Sequence, residues 1–281
     1  MADVKPADVK KLRDKTGAGM LDCKNALVEA GGDFAKAEKL LKEKGLAAAA
    51  KRSDRATNEG RIFTRVEKTK AGIIELACET DFVAINDNFK KAGSDLLDSI
   101  LADNLSKITP ELEEKVSLVI STLKENISIK RFKTFEISEN EICVDYIHGE
   151  GSIGVLVKLH SDDKSLLDNE KTKEFAFDCA LHIAAFSPLY LSQDVVDEAY
   201  SKEQTEIFMK QAENLGKPEK VLQGIVKGKL NKHFAQICLL DQPFVKDDKT
   251  SLGKVLENLE KEVGGKITIA DFVYYRVGEE E

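Results

Sequence analysis

Apolar positions recur at helical spacing through the first part of the chain and switch to strand spacing near Gly60. Val9 and Leu12 open the first helical face, with Pro6 where a first turn tolerates proline. Thr16-Gly17-Ala18-Gly19 breaks this helix, and Met20, Cys23, Ala26 and Leu27 form a second stripe closed by Gly31-Gly32. Asp33 suits the N-cap of a third helix lined by Phe34, Ala37, Leu40 and Leu41, and Gly45 is its expected C′ residue. Residues 61–66 and 71–78 read as strands joined by a turn at Lys68-Thr69-Lys70. A helix is expected over residues 83–102, on Val83, Phe89, Ala92, Leu96, Leu97 and Ile100. Thr109-Pro110 starts another, with Leu112, Val116, Val119, Ile120 and Leu123 as its stripe. Residues 127–137, 143–147 and 152–159 read as strands and 170–186 as a helix. The repeated strand–strand–helix order predicts two related subdomains, an α+β core with antiparallel sheets.

Residues 192–238 read as an inserted helical hairpin. Val195, Val196, Ala199, Ile207, Phe208 and Ala212 mark one arm, and Val221, Ile225, Leu230 and Phe234 the other. Gly216-Lys217-Pro218 supplies the turn. A helix over 251–262, a returning strand over 267–276 and a frayed tail from Gly278 complete the chain. The expected domains are a three-helix segment with its linker (1–54), an N-terminal core subdomain (55–140) and a C-terminal core subdomain (141–281). The last carries the hairpin, at about 192–238, and a C-terminal module. The three-helix segment resembles ubiquitin-associated domains, and so small a core is marginal when isolated.

Charge alters this picture little. The 281-residue chain carries a net charge of -8, which argues against general binding to nucleic acid or anionic membranes. Residues 36–55 run against that balance, with seven Lys/Arg against three Asp/Glu. No aromatic or glycine-rich interleaving supports nucleic-acid binding there, so a solvated connector is expected. No stretch of 18 apolar residues is present, and Met1-Ala2-Asp3-Val4-Lys5 lacks the apolar core of a secretory signal. Five scattered cysteines, an odd number, fit free thiols, and a cytoplasmic protein is expected.

Catalytic constellations are sparse. Cys179 and His182 lie one helical turn apart, but among Phe175, Phe177, Leu181 and Ile183 they read as packed residues. A nucleophilic pair would also need an orienting group and an oxyanion hole. The four histidines and five cysteines show neither CxxC nor HxxxH spacing, so no metal site is expected. GxxxxGKS/T and GxGxxG are both absent, so no nucleotide cradle and no cofactor are expected. The chain reads as a binding protein rather than an enzyme.

The most informative segment is Glu79-Thr80-Asp81-Phe82-Val83, placed where the strand 71–78 gives way to a helix. One reading is local, with Thr80 or Asp81 as an N-cap and Phe82 packed beside it. The other makes Asp81 and Phe82 a probe that enters a partner, because aromatic side chains are the usual anchors of interfaces.

A family resemblance bears on that choice. The run Leu12-Arg13-Asp14-Lys15-Thr16-Gly17-Ala18-Gly19-Met20-Leu21-Asp22-Cys23-Lys24-Asn25-Ala26-Leu27, then Gly31-Gly32-Asp33, resembles the opening of the translation elongation factor Ts family. Cys78-Glu79-Thr80-Asp81-Phe82-Val83-Ala84 adds to it, as do Tyr146-Ile147-His148-Gly149 and His182-Ile183-Ala184-Ala185. Gly216-Lys217-Pro218-Glu219-Lys220 and Leu239-Leu240-Asp241-Gln242-Pro243-Phe244 follow in the same order. The resemblance implies a guanine-nucleotide exchange factor whose partner is elongation factor Tu. It assigns Thr80, Asp81, Phe82 and Val83 to partner binding, with Phe82 wedging into the GTP-binding domain. That insertion disturbs the partner's Mg²⁺ and phosphate-binding loop without touching the nucleotide. Leu12, Met20, His148 and His182 are implied as further partner contacts, although Leu12 and His182 also suit a packed interior. The resemblance is compatible with a homodimer within a 2:2 complex.

At one position the chain departs from the family's habit: Ile85 follows Ala84 where a basic residue is common. A runner-up reading is a ubiquitin-associated-like adaptor without exchange activity. A Cys/His hydrolase is a third, and it lacks a visible triad.

Overall fold

The structure is a computed structural model that describes residues 4–213 and 216–279. It divides into two compact units. One holds the chain up to Glu136, Ile147–Gly154 and the segment from Tyr275; the other holds Ile137–Tyr146 and Val155–Tyr274. Helices and sheets are mixed throughout, and the fold class is α+β.

The first unit opens with three helices, α1 (Pro6–Thr16), α2 (Met20–Glu29) and α3 (Phe34–Ala50). Gly17 stops α1 in the left-handed region (φ 69°) and donates its N–H to Arg13 O at 2.8 Å. Asp33 caps α3 by accepting the Lys36 N–H. Val9, Leu12, Cys23, Ala26, Leu27, Ala37 and Leu41 are buried together at the centre of these helices. Strands β1 (Glu59–Val66) and β2 (Lys70–Cys78) follow, then α4 (Asp81–Ala84), α5 (Asp87–Ala102), α6 (Pro110–Leu123) and β3 (Ile127–Glu136). The strands form an antiparallel sheet in the order β1-β2-β3. Central β2 is buried from Ala71 to Cys78, as its near-continuous apolar run predicts. Ile74, Leu76 and Cys78 pack with Phe89, Leu96, Leu97 and Ile100 of α5 and with Leu112 and Ile120 of α6.

Three expectations are corrected in this unit. Gly45 does not end α3, which runs on to Ala50. Residues 46–50 are strong helix formers, and Gly45 is buried against α6, where a Cβ would lie 3.4 Å from Ser117 O. This glycine serves close helix packing instead of capping. The single helix expected over 83–102 is two helices. Asn86 adopts an extended backbone and its Oδ1 accepts the Asn88 N–H at 2.9 Å, which restarts the helix at Asp87. The tail is also anchored as far as Gly278, whose N–H donates to the buried Glu75 carboxylate at 2.9 Å. Glu75 in turn pairs with Arg131 at 2.8 Å. The last two residues of the expected tail and the first three residues of the chain lie outside the described residues.

The remaining elements are β4 (Glu141–His148), β5 (Ile153–His160), α7 (Lys164–Leu167), α8 (Glu170–Phe186), α9 (Glu198–Glu213) and α10 (Glu219–Ile237). They are followed by β6 (Pro243–Phe244), β7 (Asp247–Ser251), α11 (Leu252–Val263) and β8 (Thr268–Arg276). A second sheet has the order β4-β5-β8, and β6 and β7 form a short antiparallel hairpin that the sequence pattern did not suggest. The helical hairpin is α9 and α10, which pack together with Ala212 and Val226 buried. Val195 and Val196 lie ahead of α9 in a 3-10 turn and its exit, so they do not belong to the arm.

Candidate partner-binding site

The Thr80–Val83 turn is braced by groups distant in sequence. Thr80 has extended backbone and caps the one-turn α4, its Oγ1 accepting the Val83 N–H at 3.4 Å. The same hydroxyl donates to Glu125 Oε1 at 2.6 Å. Glu125 Oε2 accepts the backbone N–H groups of Glu79 (3.1 Å) and Thr80 (3.0 Å). The neighbouring Asn126 N–H donates to Glu79 Oε1 at 2.6 Å, and the Arg55 guanidinium reaches the same carboxylate at 3.1 Å. The Asn126 side chain closes the ring by donating to Arg55 O at 2.7 Å. The Asn126 N–H, helped by Arg55, holds the Glu79 carboxyl below its ordinary pKa. Burial pushes the Cys78 thiol up to about 12, so it stays protonated and donates to Thr80 O at 3.2 Å.

This bracing sets which way α4 faces. Ala84 is buried and Val83 packs on the apolar cluster beneath the sheet. With those two side chains inward, successive 100° steps around the turn put Asp81 and Phe82 outward. The Asp81 carboxylate accepts the Phe82 N–H at 2.9 Å. Phe82 is 76% exposed, an unusual placement for a large aromatic beside a formed core. Ile85, the residue that departs from the family's habit, is also exposed (54%) and extends the apolar surface on the same turn.

The other expected contacts divide. Met20, at the start of α2, is 47% exposed. Asp22 on the same helix lies 3.5 Å from Lys124 Nζ, one residue before Glu125. His148 is exposed at the end of β4, within the first unit. Leu12 and His182 are corrected to interior residues, each with 0% exposure and therefore no surface to offer a partner. Leu12 faces the centre of the three-helix segment because that segment has few other large apolar groups to bury.

His182, in the second unit, is held from both ring nitrogens. Nδ1 accepts the Val245 N–H at 3.1 Å, and Nε2 lies 3.0 Å from Gln242 Oε1. The Gln242 amide nitrogen donates to Gln236 O, which turns its oxygen toward the histidine. The ring is therefore the neutral Nε2–H tautomer, and burial lowers its pKa. Cys179 is buried and its thiol is pushed well above the ordinary range, while the nitrogens of His182 are taken by other partners. These two residues pack; they do not form a nucleophile and base.

Glu125, Asn126 and Arg55 escaped the sequence reading. The first two sit in a polar break between α6 and β3, some 45 residues from their partners, where no local periodicity marks them. Arg55 belongs to the basic run 36–55. Lys42 and Lys44 of that run are about half exposed and pair with Glu114 and Glu29, but both lie on α3, so residues 36–50 form a packed helix and not the solvated connector expected.

Comparison with known proteins extends these local observations to the whole chain. The model of the family described as Elongation factor TS matches residues 79–279, starting at the braced turn itself. The chain is 45% identical over 276 residues to Elongation factor Ts of Treponema denticola, covering 98% of this chain and 99% of that protein. The chain belongs to the elongation factor Ts family. Elongation factor Ts of Borreliella burgdorferi is 46% identical over 279 residues, covering 99% of this chain and 100% of the relative. That of Borrelia garinii subsp. bavariensis is 47% identical over the same span. Both alignments include the three-helix segment that precedes the matched family region. Among the described residues, no helix is long and apolar enough to cross a membrane.

Proposed function

We propose that the chain is a guanine-nucleotide exchange factor acting on elongation factor Tu in the cytoplasm, with Phe82 as its wedge. The observation that carries this reading is the exposure of Phe82 on a turn tied down at Glu79 and Thr80. An aromatic held out of the core is an apolar group awaiting a partner, and burying it contributes about 2–3 kcal/mol. Holding the turn in shape beforehand avoids part of the ordering entropy that binding otherwise costs.

In this mechanism Phe82 enters between helices of the GTP-binding domain with Asp81 beside it. The partner elements that hold Mg²⁺ and cradle the GDP phosphates are displaced. Because GDP relies on backbone N–H groups and Mg²⁺ to balance its charge, small displacements weaken it strongly. Coupling is reciprocal: the factor favours the empty GTPase, and nucleotide rebinding weakens the factor by the same free energy. The chain forms and breaks no covalent bond and needs neither a cofactor nor nucleic acid. Met20 and His148 serve as secondary contacts, and a 2:2 assembly through a homodimer belongs to the same reading. The test is the release of fluorescent GDP from elongation factor Tu of the same source, with and without the chain, alongside the mass of the complex. Unchanged release would remove the exchange reading.

A further inference from the structure

We propose that Glu125 is the positioning residue of the wedge: its carboxylate fixes the direction in which Phe82 points. This rests on the exchange reading above. One turn of helix cannot hold itself, since nucleation fixes several residues for very few intrahelical bonds. The orientation of α4 must therefore come from outside the turn, and Glu125 supplies three hydrogen bonds to it.

The bonds have distinct tasks. Oε2 gathers the N–H groups of Glu79 and Thr80, both of which precede α4 and have no helical acceptor. Oε1 accepts a hydrogen bond from the Thr80 hydroxyl, which leaves the lone pairs of Oγ1 for the Val83 N–H. The carboxylate thus orients the cap as well as the strand end. Glu125 is itself placed by backbone geometry. Lys124 ends α6 in the left-handed region (φ 64°), and Asn126 is pinned to Glu79 and Arg55 on the far side. These bonds of Glu125 all go to the turn, and the apolar cluster beneath the sheet packs without it. Removing the carboxylate should therefore loosen the aim of Phe82 more than it lowers the stability of the unit.

The chain contains no tryptophan, so Phe82→Trp creates a single fluorophore at the wedge. The experiment reads the anisotropy decay of this introduced indole in the full chain, with Phe82→Trp alone and combined with Glu125→Ala or Glu125→Gln. Fluorescent-GDP release is measured for the same Glu125 changes with Phe82 retained. Glu125→Ala is expected to add a fast local rotation of the indole. It is also expected to lower the exchange rate at saturating factor at least ten-fold, with a melting shift of only a few degrees. Glu125→Gln keeps an oxygen for the two backbone N–H groups and should restore most of the rigidity and rate. An indole decay left unchanged by Glu125→Ala overturns the proposal, whatever the exchange rate. A mobile indole with undiminished exchange overturns its functional half. If the unsubstituted chain does not accelerate GDP release, the exchange reading fails instead, while the anisotropy still decides whether Glu125 holds the turn.

Discussion

The Asn126 backbone N–H donates to the Glu79 carboxylate at 2.6 Å, locking the start of β3 against the end of β2 beside the exposed Phe82. The Arg55 guanidinium meets the same carboxylate from the segment after α3. One acidic side chain therefore ties together a linker, a strand end and the turn.

Acid should undo this tie. The Glu79 carboxyl is held below its ordinary pKa of about 4.5 by the Asn126 N–H, with Arg55 assisting. A depressed carboxyl contributes stability that is present above the unfolded value and lost as pH falls through the folded one. Between pH 6 and pH 3.5 the unsubstituted chain should lose more melting temperature than Glu79→Gln, which has no charge to neutralise. Parallel losses in the two proteins would show that Glu79 is not responsible.

A second pH dependence belongs to His182 and has a higher window. Burial lowers its folded-state pKa below the ordinary 6.5. Above that value the ring is neutral folded or unfolded, and its bonds to Gln242 and Val245 are intact. Below it the unfolded chain takes up a proton that the folded chain resists, so stability declines. Melting temperature should fall from pH 7.5 to pH 5.5, and less steeply in His182→Gln. Equal slopes would remove His182 as the source.

Leu12 and Met20 should separate stability from binding. Leu12→Ala empties a fully buried site and should cost about 2–5 kcal/mol in urea unfolding of the unit that contains it. Met20 is half exposed, so Met20→Ala should change stability by no more than about 0.5 kcal/mol. A weaker complex with elongation factor Tu, measured by calorimetry, is expected for Met20→Ala. Unchanged affinity would remove Met20 from the interface.

Elements with strong local signals were legible in the sequence. Asp33, Thr80 and Thr109 cap helices where the cap residues and the following apolar spacing predict. What was not legible depended on neighbours far along the chain. Gly45 has the chemistry of a helix end, but α6 makes it a close-packing residue inside α3. Asn86 interrupts an apolar stripe that reads unbroken from Val83 to Ile100, because its side-chain oxygen competes for a backbone N–H. The strands β6 and β7 are too short for a period to register. At the candidate site, the turn itself was visible as a strand-to-helix junction with an unplaced aromatic. Its brace was not, since Glu125 is an ordinary acidic residue until the fold brings it against Thr80.

The most direct test compares Phe82→Ala with the unsubstituted chain in fluorescent-GDP release from elongation factor Tu, with thermal melting run beside it. Phe82 is largely in solvent, so the variant should melt with the parent. Its interaction with the GTPase should weaken by about 2 kcal/mol or more, roughly thirty-fold, and the acceleration of release should fall accordingly. A folded variant that still accelerates release like the parent, or one that loses stability and activity together, would contradict Phe82 as the wedge.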